Sequence, residues 1–155
     1  MNIPLKEQIP IQLHSISDFS IAYFQDKTIQ YPSPHWYVII PTKERDKFLV
    51  IMITSKIKER IDYYKNTKKQ KARECLVKIN NDEFTFLNRN SAINCNEPEY
   101  LTTDEIVHRV DGKEGFKIEK EKVPPYLKKD IVSAILRSPI APRFMGKIAK
   151  EANPL

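Results

Sequence analysis

The sequence predicts a mainly β fold of the α+β class, a small barrel or curled sheet with a packed C-terminal helix. Two apolar runs, residues 35–41 and 48–54, are rich in β-branched and aromatic side chains and are joined by a short charged turn. Such runs are typical of strands buried on both faces. Apolar residues of segment 127–136 recur at helical spacing behind Pro124 and Pro125, a favourable helix start.

The segments on either side of this hairpin carry weaker signals. Residues 9–16 and 21–24 are expected to supply one or two further strands before the hairpin. Residues 56–73 are rich in Lys and Arg, and their few apolar residues recur at helical spacing. This basic segment is therefore either a short amphipathic helix or a solvated loop.

The second half of the chain alternates short apolar runs with turn residues. Strands are predicted at residues 75–79, 84–87 and 91–95. The turn at residues 80–82 makes the second of these strands the expected hairpin partner of the first. A short terminal helix is expected around Phe144.

Composition excludes several classes of protein. A chain of 155 residues with 41% hydrophobic and 30% charged residues fits a single folded domain. Three glycines cannot build a Gly-rich phosphate loop, and three scattered histidines lack metal-ligand spacing. Cys75 and Cys95 are interpreted as small buried hydrophobic residues rather than a disulfide framework. With no signal peptide pattern and no long apolar run, we expect a cytoplasmic protein.

The balance of charge favours a polyanionic partner. The net charge is +6 and the pI is about 9.2. RNA and DNA are the polyanions that proteins with such a charge most often bind. Charge alone leaves proteins without nucleic-acid partners as an open alternative.

Four short landmarks follow one another in the chain. Residues 34–40 form an apolar strand after a loop, and residues 50–55 form a strand that ends in Thr-Ser. Residues 86–93 contain an arginine shortly before a short strand, and residues 127–138 form the C-terminal helix ending in Ser-Pro. In this order the landmarks resemble the PemK/MazF-like toxin family.

The resemblance implies one PemK/MazF-like domain over residues 1–155, folded as an SH3-like barrel with a C-terminal helix. Members of that family are the toxins of toxin–antitoxin systems, and they usually form homodimers whose groove binds single-stranded RNA. They cleave the RNA without metal or cofactor: the 2′-OH attacks the neighbouring phosphate and leaves a 2′,3′-cyclic phosphate. A cognate antitoxin protein holds them inactive. We therefore expect an endoribonuclease.

The resemblance also supplies candidate catalytic residues. Arg89 occupies the place of the family's catalytic arginine, and a guanidinium offers a rigid donor fork to phosphate. Thr54 and Ser55 can donate hydroxyl hydrogens to phosphate or sugar. Ser91 stands where the family has aspartate, and serine is a poor base at neutral pH. His35 is then the available proton acceptor, since histidine changes charge near neutral pH.

RNA binding would use basic and aromatic side chains beside this site. Lysines and arginines expected along the groove would neutralise phosphates and make the affinity depend on salt; they are Lys43, Arg45, Lys56, Lys58 and Arg60. Trp36 either stacks on a base or packs into the core.

Two further classes of function remain open at this stage. One is a nucleic-acid-binding barrel that does not cleave, which predicts salt-sensitive binding and no product at any pH. The other is a protein-interaction module, because SH3-like barrels often bind peptides. It predicts no affinity for RNA.

Overall fold

The computed structural model describes residues 3–30, 32–67 and 69–154; Lys68, inside the predicted basic segment, lies outside these ranges. The elements in chain order are α1 (Leu5–Ser15), β1 (Ser20–Gln25), β2 (Pro34–Pro41), β3 (Lys47–Thr54), α2 (Ile57–Asn66), a 3₁₀ helix (Gln70–Cys75), β4 (Leu76–Ile79), β5 (Ser91–Asn94), β6 (Glu99–Thr102), α3 (Thr103–Arg109), β7 (Phe116–Ile118), α4 (Pro125–Arg137) and α5 (Arg143–Ala152). Every helix within the described ranges is too short or too polar to span a bilayer.

The strands form one seven-stranded antiparallel sheet in the order β4-β5-β3-β2-β1-β7. Strand β6 pairs with the first half of β3, and β5 pairs with its last two residues. Among the described residues β4 and β7 do not pair with each other, so the sheet is open. The predicted α+β class is therefore confirmed, whereas the small barrel is not.

The β2–β3 hairpin forms the centre of the molecule, as predicted. Its pairing runs from Trp36 opposite Ile53 to Pro41 opposite Phe48. Val38, Ile40 and their counterparts on β3 pack under α4 and α5. Alternate residues such as Ile39 pack on the other face, under α1 and α3. Helices on both faces explain why these strands are apolar at nearly every position.

The predicted C-terminal helices are also confirmed. Helix α4 begins at Pro125, where a proline costs nothing because the first helical N–H has no intrahelical partner. Its buried face, which includes Leu127, Ile131 and Ile135, completes the larger core cluster. The terminal helix around Phe144 is α5.

Two predicted strands are not strands. The strand expected at residues 9–16 lies in α1, where Ile9 and Leu13, four residues apart, are buried on one helical face. Residues 84–87 form a turn whose Phe84 and Leu87 side chains are buried in the core without strand pairing. Strand β5 instead pairs with β4, across the loop of residues 80–90.

The basic segment contains a helix, which decides between its two alternatives. Helix α2 buries Tyr64, while Ile57 and Ile61 pack beside it in a small cluster at the end of the sheet. Cys75 and Cys95 are free and buried, as expected, and burial raises the pKa of both thiols.

Three elements between β5 and α4 were not predicted, namely β6, α3 and β7. Of these, α3 carries a recognisable signal in the sequence. The Thr102 hydroxyl accepts the backbone N–H of Glu105, and the Glu105 carboxylate accepts the Thr102 N–H. This reciprocal pair is the capping box that the Thr-x-x-Glu spacing predicts.

Candidate functional site

A cleft of about 260 Å³ opens where β1 ends, β2 begins and β3 ends; we call it the Arg89 cleft. Tyr23, Trp36 and Ile53 line it from three adjacent strands and are paired in register across them. The Tyr23 and Trp36 rings are 4.5 Å apart, and the Phe86 ring lies 4.9 Å from Trp36. The sheet therefore gives the cleft an aromatic floor.

Arg89 reaches the cleft from the loop of residues 80–90. The Ser91 hydroxyl donates to the Arg89 carbonyl at 3.1 Å, and the Asn81 N–H donates to the Asn90 side chain at 3.0 Å. The backbone on the C-terminal side of Arg89 is thus anchored. The exposed Arg89 side chain has no hydrogen bond or ion pair to any described residue. Its guanidinium is available to an anion.

His35 lies at the start of β2, where it lines the edge of the cleft, and its ring is 6.3 Å from that of Tyr37 on the opposite face of the sheet. Its Nδ1 lies 2.8 Å from the carbonyl oxygen of Ser33. A carbonyl only accepts, so the hydrogen of the neutral ring is assigned to Nδ1. The lone pair is then on Nε2, which has no partner among the described residues. The neutral ring is therefore held in the tautomer that a general base requires at Nε2.

The two cleft serines differ in availability. Ser55 is exposed, lines the cleft and donates to no described residue. Ser91 also lines the cleft but is buried, and its hydroxyl is committed to the Arg89 carbonyl. None of the described lining residues is acidic, so the cleft combines one free cation with hydroxyl donors. This combination suits a phosphate group.

Thr54 does not line the Arg89 cleft. Adjacent residues of a strand point to opposite faces, so Thr54 turns away from the cleft that Ile53 lines. Its buried hydroxyl accepts the Lys56 N–H at 3.1 Å. Thr54 instead lines a neighbouring groove of about 650 Å³ together with Lys56 and Arg60. His35 lines both spaces and connects them.

The predicted RNA-binding residues fall into two groups. Lys56 and Arg60 line the neighbouring groove, where Arg60 lies 3.8 Å from Glu97. Lys58 is exposed on the same helix and lines neither space.

Lys43 and Arg45 lie elsewhere. They belong to the turn between β2 and β3, at the opposite end of the hairpin from the cleft, and Lys43 faces Glu151 at 3.7 Å. A strand of eight residues spans about 25 Å. In contrast to the expectation, these two residues do not flank the groove.

Sequence reasoning missed Tyr23 and Asn88, which also line the cleft. Tyr23 becomes recognisable only through the β1–β2 register, which places it opposite Trp36. Trp36 is half-buried against the core, as one of its two alternatives predicts, and it also lines the cleft.

No three His, Cys, Asp or Glu side chains of the described residues converge in the way that a metal ion requires. Comparisons of the chain with protein-family models, curated proteins and solved structures found no match. Function is therefore inferred from the geometry of the cleft.

Proposed function

We propose that this chain is a PemK/MazF-like toxin, an endoribonuclease that cleaves single-stranded RNA by metal-free attack of the 2′-OH. The observation that supports this most is the grouping of Arg89, His35 and Ser55 around one cleft with an aromatic floor. Their segments are far apart in the chain, and the resemblance assigned them to one site. In this proposal the open antiparallel sheet takes the place of the family's SH3-like barrel.

The reaction needs a base, an acid and stabilisation of the crowded phosphate. His35 Nε2 takes the proton of the 2′-OH as its oxygen bonds to phosphorus. Arg89 and the Ser55 hydroxyl donate to the non-bridging oxygens, where negative charge develops. The bond from phosphorus to the 5′-oxygen breaks, and the Tyr23 phenol protonates that oxygen. The phenolate then regains its proton from the His35 imidazolium through water.

Binding would rely on stacking and on phosphate neutralisation. A base stacks on the exposed part of Trp36, since aromatic faces accept any base. Lys56 meets a neighbouring phosphate in the adjoining groove, where it has no ion pair with a described residue. The proposal further includes action in the cytoplasm, a homodimer and inhibition by a cognate antitoxin.

The test is incubation of the purified chain with a long single-stranded RNA in the presence of a chelator. Wild type should produce fragments ending in 2′,3′-cyclic phosphate, and DNA of the same sequence should stay intact because it lacks the 2′-OH. Arg89→Ala, purified in the same way, should cleave at least about 100-fold more slowly, while Arg45→Ala should match wild type. Equal cleavage by wild type and Arg89→Ala would identify a contaminating nuclease and contradict the proposal.

One observation favours a second candidate, an RNA-binding protein that does not cleave. Ser91 replaces the family's aspartate, and its hydroxyl is buried and already donates to the Arg89 carbonyl. This candidate requires that His35 takes no proton. It predicts salt-sensitive RNA binding that Arg89→Ala weakens, with no product over the pH range 5 to 9.

A further inference from the structure

A second cavity, of about 180 Å³, lies on the opposite face of the sheet; we call it the Tyr37 cavity. Its apolar walls are formed by Ile29, Val50 and Met52. Its polar lining is rich in acceptors and consists of Asp26, Tyr37, Asn94, Glu97, Glu99 and Arg60. The cavity therefore offers an apolar wall and an acidic wall to one small guest.

Tyr37 provides the observation that points to a guest. Its ring stacks on Phe24 at 4.1 Å, and the residue is only 4% exposed. Its buried hydroxyl has no hydrogen-bond partner among the described residues. Burial raises the pKa of Tyr37, and the charges of Asp26 and Glu99 raise it further. The hydroxyl is thus a protonated polar group beside a space that lacks its partner.

The charges around the cavity do not cancel. Arg109 contacts Glu99 and lies 3.6 Å from Asp26, while Arg60 lies 3.8 Å from Glu97. These two guanidinium groups face three carboxylates, which leaves one negative charge in excess. The cavity therefore favours a guest with a single positive charge and several hydrogen-bond donors.

We propose that the Tyr37 cavity binds the head group of a small organic cation, an alkylguanidinium or alkylammonium. The Tyr37 oxygen accepts an N–H of the guest, and Glu97 and Glu99 accept others. The apolar walls then contact the alkyl chain. The described carboxylates do not form a metal cluster, which leaves an organic cation as the better fit. The proposal does not rest on RNA cleavage, although the cavity shares Ile29, Met52 and Arg60 with the neighbouring groove.

Calorimetric titration of the full chain with n-butylguanidinium, a singly charged alkylguanidinium, tests this proposal. Tetramethylammonium serves as the control ligand, since it carries the same single charge without an N–H donor. Butylguanidinium should bind saturably and tetramethylammonium should not. Binding by neither, or equal binding by both, would overturn the proposal and leave the cavity to water.

Two variants link the binding to the hydroxyl. Tyr37→Phe keeps the stacked ring and should weaken butylguanidinium binding about tenfold, the effect of one lost hydrogen bond to a charged group. Tyr126→Phe removes a hydroxyl that donates to Glu83 far from the cavity and should change nothing. Unchanged affinity in Tyr37→Phe, with the fold intact by circular dichroism, would contradict the proposal.

A third titration, with the peptide Gly-Arg-Gly, distinguishes a free small cation from the arginine side chain of a partner. Binding as tight as that of butylguanidinium supports a partner's arginine side chain as the natural guest. Binding of butylguanidinium alone supports a free small cation. Either result is consistent with the shared chemistry of the site.

Discussion

The Arg89 cleft and the Tyr37 cavity lie on opposite faces of one sheet and differ in how their charges are paired. In the cleft Arg89 has no ion pair with a described residue, and no acidic side chain lines the space. In the cavity Arg60 and Arg109 are already paired with carboxylates, and negative charge remains. The net charge of +6 therefore assigns no partner by itself. Local pairing makes one site suited to anions and the other to cations.

The largest expected effect comes from removing the unpaired cation. Arg89→Ala should lower the rate of RNA cleavage at least about 100-fold, the usual cost of losing one donor to the transition state. Arg89→Lys should recover part of the rate, because a lysine supplies charge without the fork. Gel analysis of end-labelled RNA measures both.

Arg45→Ala is the matched control, since it removes the same charge at the far end of the hairpin. Its rate should stay within about twofold of wild type, because it makes no contact with the transition state. A loss as large as that of Arg89→Ala would show that general charge, rather than the cleft, drives the reaction.

The next effect concerns the proton acceptor. His35→Gln keeps a polar side chain but takes up no proton, so cleavage should fall about 100-fold. RNA affinity, measured by fluorescence anisotropy, should stay within about threefold, because the neutral ring makes no ion pair with phosphate. His108→Gln, on the exposed side of α3, is the control. Full activity of His35→Gln would remove His35 from the mechanism.

The sequence predicted the central hairpin and α4 because their signals are local. Strands β2 and β3 are apolar at nearly every position, and α4 shows a helical repeat behind two prolines. Residues 84–87 have an equally apolar composition, yet they form a turn. A buried strand and a buried turn have the same apolar composition, so composition reveals only that a segment is buried. Strand pairing depends on partners that are distant in the chain.

The candidate site was predictable only in part, for a related reason. The resemblance indicated Arg89, His35 and Ser55, and the structure brings them to one cleft. Thr54 is turned away by strand alternation, and Lys43 is displaced by the length of the hairpin. The Tyr37 cavity was not predicted, because it depends on Asp26, just after β1, and on Glu97 and Glu99, just before and at the start of β6, which meet only in the fold.

The next prediction concerns the effect of the unpartnered Tyr37 hydroxyl on the stability of the protein. Tyr37→Phe should raise the free energy of unfolding of the free protein by about 1 kcal/mol, because it removes a buried polar group without a partner. Urea denaturation measures this change. A loss of stability of the same size would show that a bound water already satisfies the hydroxyl.

The smallest effect concerns the neighbouring groove. Lys56→Ala should weaken RNA binding about threefold near 0.1 M salt and lower the salt slope of the logarithmic affinity by about one. Lys58→Ala, two residues along α2 and outside both spaces, should leave the slope unchanged. Equal slopes for the two variants would remove the groove from the path of the RNA.

The most direct test of the central claim, that the Arg89 cleft holds a phosphodiester of single-stranded RNA, does not depend on catalysis. A short 2′-O-methyl RNA, which cannot be cleaved because its 2′-oxygens are blocked, is titrated into the isotope-labelled chain. The account predicts that amide chemical shifts change most at His35, Trp36, Ser55 and Arg89. Shifts confined to the β2–β3 turn around Lys43 and Arg45, with the cleft unaffected, would contradict it.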